Sequence, residues 1–162
     1  LHRRDADLAL RMVKPERGNV SLQRVGTLGW GLYASESYLL QHPFKDSERA
    51  LSDHSIISWS ESHSELSAAK WIDSLGLAST HRITTTGLQT QLAATKAGLG
   101  IAALPHYLGR GAALKCIRKN LGLDQPIYLV VQSDLTQSAR VRVMYDFLRG
   151  IMAEKRSFFA AD

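Results

Sequence analysis

The sequence predicts an α/β fold, and three observations predict it. Short runs of strand length with apolar residues in alternation recur along the 162 residues: "DLALRM", "WGLYAS", "HSIISWS" and "PIYLVVQ". The stretch "RITTTGLQTQLAATKAGLGIAALP", residues 82–105, reads as strand, helix and strand with very short connections. A right-handed parallel βαβ unit is its economical form. The chain also closes on an amphipathic helix. At 44% hydrophobic and 22% charged, it has the composition of a globular chain of one domain or two small lobes.

Taken in order, Leu8, Leu10 and Met12 alternate with Ala9 and Arg11 as a first strand, broken by Pro15 and Gly18. Trp30, Leu32 and Ala34 share one face of a second strand. Ser35 caps a short helix through "ESYLLQH", which Pro43 ends. "HSIISWS" is a third strand. Ser64 and Glu65 open a helix in which Leu66, Ala69, Ile72 and Leu75 share a face and Gly76 is the stop. "HRITT" is the next strand. Thr86 stands three residues before Gln89, the spacing of a capping box, and Gly98 suits the end of the helix. "GIAALP" is a buried strand closed by Pro105. Residues 106–126 are loop-rich. In "PIYLVVQ", Ile127, Leu129 and Val131 face one way, Tyr128 and Val130 the other. The last helix starts near Thr136 or Ser138, with Met144, Phe147, Leu148 and Ile151 at i, i+3, i+4, i+7 as its apolar face.

The formal net charge of +5 is compatible with nucleic acid, a membrane surface, anionic small molecules, or simply a mildly basic surface. No helix-turn-helix, zinc-finger or aromatic-interleaved basic motif is legible. No apolar run is long enough to span a bilayer, and no signal peptide is apparent. A single cysteine, Cys116, excludes an internal disulfide and suits a reducing cytoplasm. Basic neighbours of Cys116 would activate its thiol, but an inert cysteine reads as well. The six histidines form no i, i+4 pair and have no cysteine partner, so no metal site is expected. "GLG" at 98–100 precedes a strand and lacks a third glycine, so it is a helix stop and tight turn, not a nucleotide fingerprint. No nucleophile elbow and no acid–base constellation appears, so neither an enzyme nor a cofactor is expected.

The candidate site lies at the strand-to-helix junction. In a parallel α/β unit, ligands sit beyond the carboxyl ends of the strands. Thr84, Thr85, Thr86 and Gly87 fall there, where the first helical turn presents free N–H groups and its dipole favours an anion. Two readings stand side by side: Thr86 merely caps the helix, or Thr85, Thr86 and Gly87 bind a carboxylate or oxyanion.

Four segments, in order, resemble the effector-binding domain of LysR-type transcriptional regulators: "ADLALR", "RVGTLGWGLYASESYLLQHP", "TTTGLQTQLAATKAGLGIAALPHYL" and "PIYLVVQSDLTQSARVRVMYDFL". Together they span nearly the whole chain. The resemblance implies a type 2 periplasmic-binding-protein-like fold, two α/β subdomains joined by two crossover strands around a ligand cleft. Subdomain I would hold residues 1–33 and 133–162, and subdomain II residues 34–132. The family's winged helix-turn-helix, linker helix and first strand–helix of subdomain I have no counterpart in these residues.

The resemblance favours the ligand reading of Thr85, Thr86 and Gly87. It adds Arg11, after the "DLAL" strand, and Ala34 and Ser35, at the crossover, as cleft-lining positions. Leu104 either closes the apolar side or belongs to the core. The implied partner is a small anionic or aromatic effector. The implied regulator is cytoplasmic and homo-oligomeric, a dimer or tetramer, and meets promoter DNA only through the module absent here. A solute-binding protein of a transporter, which shares the fold, is the alternative.

Overall fold

A computed structural model describes residues 6–15, 18–45, 51–77 and 82–160. In chain order its elements are β1 (Leu8–Arg11), β2 (Val20–Leu28), β3 (Trp30–Ala34), α1 (Glu36–Gln41), β4 (Ile56–Trp59), α2 (Ser67–Ser74), β5 (Arg82–Thr85), α3 (Leu88–Lys96), β6 (Ile101–Pro105), α4 (His106–Gly111), β7 (Lys115–Arg118), β8 (Gln125–Gln132), α5 (Ala139–Glu154) and α6 (Arg156–Phe159). Short 3-10 turns follow β4 at Glu61–His63 and β8 at Ser133–Leu135. The start of the predicted "HRITT" strand, His81, lies outside the described residues. Among the described residues, no helix is long and apolar enough to cross a membrane.

The chain divides into two compact units. One holds the residues up to Leu28 together with Asp124–Ala160; the other holds Gly29–Leu123. The units divide at 28/29 and 123/124: β3 falls in the second through its pairing with β6 and β7, and the first takes in β8. Its apolar run is paired antiparallel with β1 on one side and β2 on the other, which binds it into the first unit.

In the first unit the sheet order is β1–β8–β2, with a bulge in β2 between Arg24 and Gly26. Strand β2 is the longest in the molecule's described part, yet its polar residues and Gly26 hide it from a reading by alternation. Leu129 and Val131 are buried. Helix α5 faces this sheet through Val141 and Met152, both buried, and through Tyr145, whose hydroxyl donates to Gln23 Oε1. Of the expected stripe, Leu148 and Ile151 are partly buried, but Met144 and Phe147 are 49% and 59% exposed, so the packed face is turned toward Val141 and Met152. Both stripes are apolar at helical spacing, so periodicity alone does not choose the buried one; contact with β2 and β8 does.

In the second unit the sheet order is β5–β4–β6–β3–β7. Strand β4 runs parallel to both β5 and β6, and β3 runs antiparallel to both β6 and β7. The predicted strand–helix–strand unit is present, but β4 lies between its two strands. One face of the sheet buries Leu32, Ala34, Ile56, Ile101 and Ala103 with Tyr38 of α1 and Ile72 of α2. The other buries Tyr33, Ile57, Ala102 and Leu104, with Leu88 and Leu92 of α3 packed against them. Ser35 caps α1 as its sequence predicts, its Oγ accepting the Tyr38 N–H at 3.2 Å. Helix α2 begins at Ser67, after an N-cap at Leu66 that is itself 41% exposed, so that leucine is not on the packed face. Gly98 takes the left-handed φ of 77° that ends α3. Gly100 lies so close against the Ser55 carbonyl that a Cβ would collide with it. The stretch read as loop contains α4 and β7, both too short to show a period.

Candidate functional site at the carboxyl edge of the second sheet

Parallel strands bring their carboxyl ends to one edge. Trp59 at the end of β4 is in register with Thr85 at the end of β5, and the Ser60 N–H donates to the Thr85 carbonyl at 2.9 Å. Strand β6 ends beside them at Leu104 and Pro105. Strand β3 runs the other way, so it contributes its first residue to this edge, with Trp30 opposite Pro105.

From β5 the chain turns through Thr86 into α3, whose N-cap is Gly87 in an extended conformation (φ −145°, ψ 139°). No side chain caps the helix. The predicted capping box is therefore absent: Thr86 falls one residue too early, and its exposed side chain makes no hydrogen bond to the helix. The first helical backbone bond runs from the Gln91 N–H to the Gly87 carbonyl at 3.1 Å. The N–H groups of the preceding turn therefore keep their donors, at the positive end of the helix dipole. Thr85 differs from Thr86, because its hydroxyl donates to the Gly87 carbonyl at 3.3 Å and shapes the turn.

The other expected site residues do not gather here. Ala34 and Ser35 lie at the opposite edge of the same sheet, because β3 is antiparallel to β6. Ala34 is in register with Lys115 of β7. The Ser35 hydroxyl is committed to capping α1 and bonds the Ser37 hydroxyl at 3.0 Å. It lies beside Gly98, at the far end of α3 from Gly87. Leu104 has no exposed surface and belongs to the core under α3, where full burial of such a side chain contributes roughly 1.5–3 kcal/mol. Arg11 belongs to the first unit, exposed at the end of β1 and in register with Tyr128.

Sequence reasoning missed four donors in the second unit. The indole nitrogens of Trp30 and Trp59, Arg82 Nε and the side-chain amide nitrogen of Gln91 are buried without a hydrogen-bond partner among the described residues. Beside Trp59 the His63 ring stacks on the indole, with centroids 5.4 Å apart and an interplanar angle of 29°. His63 Nδ1 bonds the Ser62 hydroxyl at 2.9 Å, and Ser62 Oγ lies 2.9 Å from Ser60 Oγ. Only the position of Trp59, last in an apolar run, marked it in the sequence. The edge offers donors and an aromatic wall. Among the described residues, no group of three or more histidine, cysteine, aspartate or glutamate side chains is placed to hold a metal.

Comparison with known proteins agrees with this architecture. The regulatory domain of CrgA, a LysR-type transcriptional regulator from Neisseria meningitidis, superposes with a TM-score of 0.67 at 23% identity, over 92% of this chain and 76% of that one. The longer CrgA structure gives 0.69 at 21% identity, over 92% of this chain and 53% of that one, so this chain spans about half its length. The regulatory domain of AphB from Vibrio vulnificus, treated with cumene hydroperoxide, gives 0.66 at 21% identity over 89% of this chain and 75% of that one. These likenesses establish a type 2 periplasmic-binding-protein-like α/β fold. Among curated protein sequences, none matches this chain. Residues 1–153 match the family model of the LysR substrate binding domain, and the chain therefore belongs to that family, the effector-sensing domains of LysR-type regulators.

Proposed function

We propose that this domain senses a small anionic effector at the carboxyl edge of the second unit's sheet. The observation that carries the reading is the uncapped N-terminus of α3, with the exposed Thr86 hydroxyl beside it and Trp59 next along the edge. An uncapped first turn holds backbone donors that water serves in the free protein and an oxyanion serves in the complex. Thr86 adds one neutral donor. Thr85 holds the turn in shape, and Gly87 leaves the backbone open to approach. The assignment of Arg11 to effector binding rests on family resemblance alone.

In this reading the domain binds without turnover. It acts in the cytoplasm within a homo-oligomeric regulator, a dimer or tetramer, whose DNA-reading module is not among these residues. The transporter alternative is disfavoured by the family match.

Isothermal titration of the 162-residue chain with acetate, benzoate and sulfate tests the site. At least one anion should bind, and Thr86→Val should weaken it by roughly 1.5–3 kcal/mol, the worth of a hydrogen bond to a charged group. Because Thr86 does not cap α3, the variant should melt within about 0.5 kcal/mol of the parent, as surface substitutions do. Equal affinity in the two proteins would remove Thr86 from the site.

A further inference from the structure

We infer that the first unit carries a ligand site of its own, a cleft between α5 and the strands β2 and β8 that takes a small apolar α-amino acid in its zwitterionic form. The cleft has a volume of about 270 Å³, and every residue that lines it belongs to the first unit. Small-molecule sites span roughly 300–1,000 Å³, so this one suits an occupant at the small end. The inference does not rest on the site at the start of α3.

The lining is graded from apolar to charged. Val141, Arg142, Tyr145 and Asp146 come from α5 at i, i+1, i+4 and i+5, so they share one side of the helix. From the sheet comes Val131 of β8, in register with Ser21 of β2. Val131 and Val141 are buried and form an apolar floor. Arg142 and Asp146 are exposed and form a charged rim.

The two rim charges are opposite, yet they are not spent on each other. A basic residue four places before an acidic one is the less favourable order on a helix. Asp146 instead meets Arg149, at 3.5 Å. Both members of that pair are more than half exposed, so it contributes little and leaves the carboxylate open to a ligand. The Arg142 guanidinium has no hydrogen bond or ion pair among the described residues. The hydroxyls complete the set. Tyr145 donates to Gln23 Oε1, and Thr136, at the end of the turn after β8, donates to the Ser133 carbonyl at 2.9 Å. Each has spent its one proton and keeps acceptor lone pairs.

A zwitterion answers every part of this lining. Its carboxylate meets the Arg142 fork, with the Ser21 hydroxyl as a further donor. Its ammonium has three N–H groups to place, and Asp146, Tyr145 and Thr136 offer acceptors. An aliphatic or aromatic side chain covers the two valines. A plain carboxylate would be repelled by Asp146, and a plain amine by Arg142.

The test is a nitrogen–proton correlation spectrum of the 162-residue chain titrated with L-valine, L-leucine and L-phenylalanine. The backbone resonances of Val131, Val141 and Tyr145 should move saturably with at least one of them. The N-acetyl and amide derivatives of that amino acid, each lacking one of its charges, should bind tenfold or more weakly. Arg142→Gln and Asp146→Asn should each weaken the amino acid to the same degree at an unchanged melting temperature, since both side chains are exposed. Thr86→Val should leave its affinity as it is. Absence of a saturable shift with all three amino acids, undiminished affinity for either derivative, or parental affinity in either rim variant would overturn the inference. So would weakened binding in Thr86→Val, which would assign the ligand to the second unit.

Discussion

At the scale of single residues, the chemistry of the second unit is set by which polar groups are satisfied inside it. His54 shows what satisfaction costs in pH range. It is buried, rings of Tyr38 and Phe44 flank it, and the Tyr38 hydroxyl shares a hydrogen bond with its Nδ1 at 3.2 Å and accepts the Ser55 N–H at 3.0 Å. Burial, reinforced by the charge of His42 and only partly opposed by Asp53, holds the His54 imidazole below its ordinary pKa of 6.5. The unfolded chain therefore takes up a proton at a pH where the folded one does not. His54's contribution to stability is intact above 6.5 and drains as the pH falls toward the folded value. Thermal melts between pH 7.5 and 5.5 should show the parent losing more than His54→Phe, which keeps the ring and loses the titration. An equal loss in both would place the pH sensitivity elsewhere.

At the scale of elements, α5 separates packing from periodicity. Its sequence carries two apolar stripes, and the fully buried residues, Val141 and Met152, lie on only one of them. Val141→Ala should cost about 1–2 kcal/mol, somewhat less than the 2–5 of larger aliphatic side chains. Phe147→Ser, on a residue 59% exposed, should stay within about 0.5 kcal/mol. Urea unfolding monitored by circular dichroism measures both. A Phe147 variant as damaged as the Val141 variant would mean that this face is covered in solution. Helix α3 teaches the complementary lesson. Its existence and its stop at Gly98 were legible from the sequence, whereas its start was not. The chain reaches helical geometry two residues after Thr86, so the hydroxyl that looks like a cap is spare.

At the scale of the whole molecule, the charge of +5 is a long-range property. Base reading requires a helix or ribbon that enters a groove, and none is legible in the sequence. The lysines and arginines would neutralise phosphates in a way that is independent of sequence and falls steeply with salt. Competition between promoter and scrambled DNA of equal length, near physiological salt, should show no preference by this chain alone. Tight preference for the promoter would relocate the DNA-reading function into these residues.

The sequence by itself determined what a few neighbouring residues can settle. It determined the class of fold, the Ser35 cap, the glycine that ends α3, the alternation of β8, and the junction of Thr85, Thr86 and Gly87 as the edge of a parallel strand. Those features depend on backbone sterics, side-chain period and hydrogen bonds that close within one turn. Tertiary structure alone decided strand order and direction. It placed β4 between β5 and β6, paired β8 with β1 and β2, and ran β3 antiparallel to β6. That last choice puts Ala34 and Ser35 at the edge away from Thr86 and brings Trp30 to the near one. It also decided which polar atoms end buried and unpaired, Trp59 Nε1 and Gln91 Nε2 among them. Pairing between distant strands and the covering of one face by α3 are non-local, and no window of sequence contains both partners.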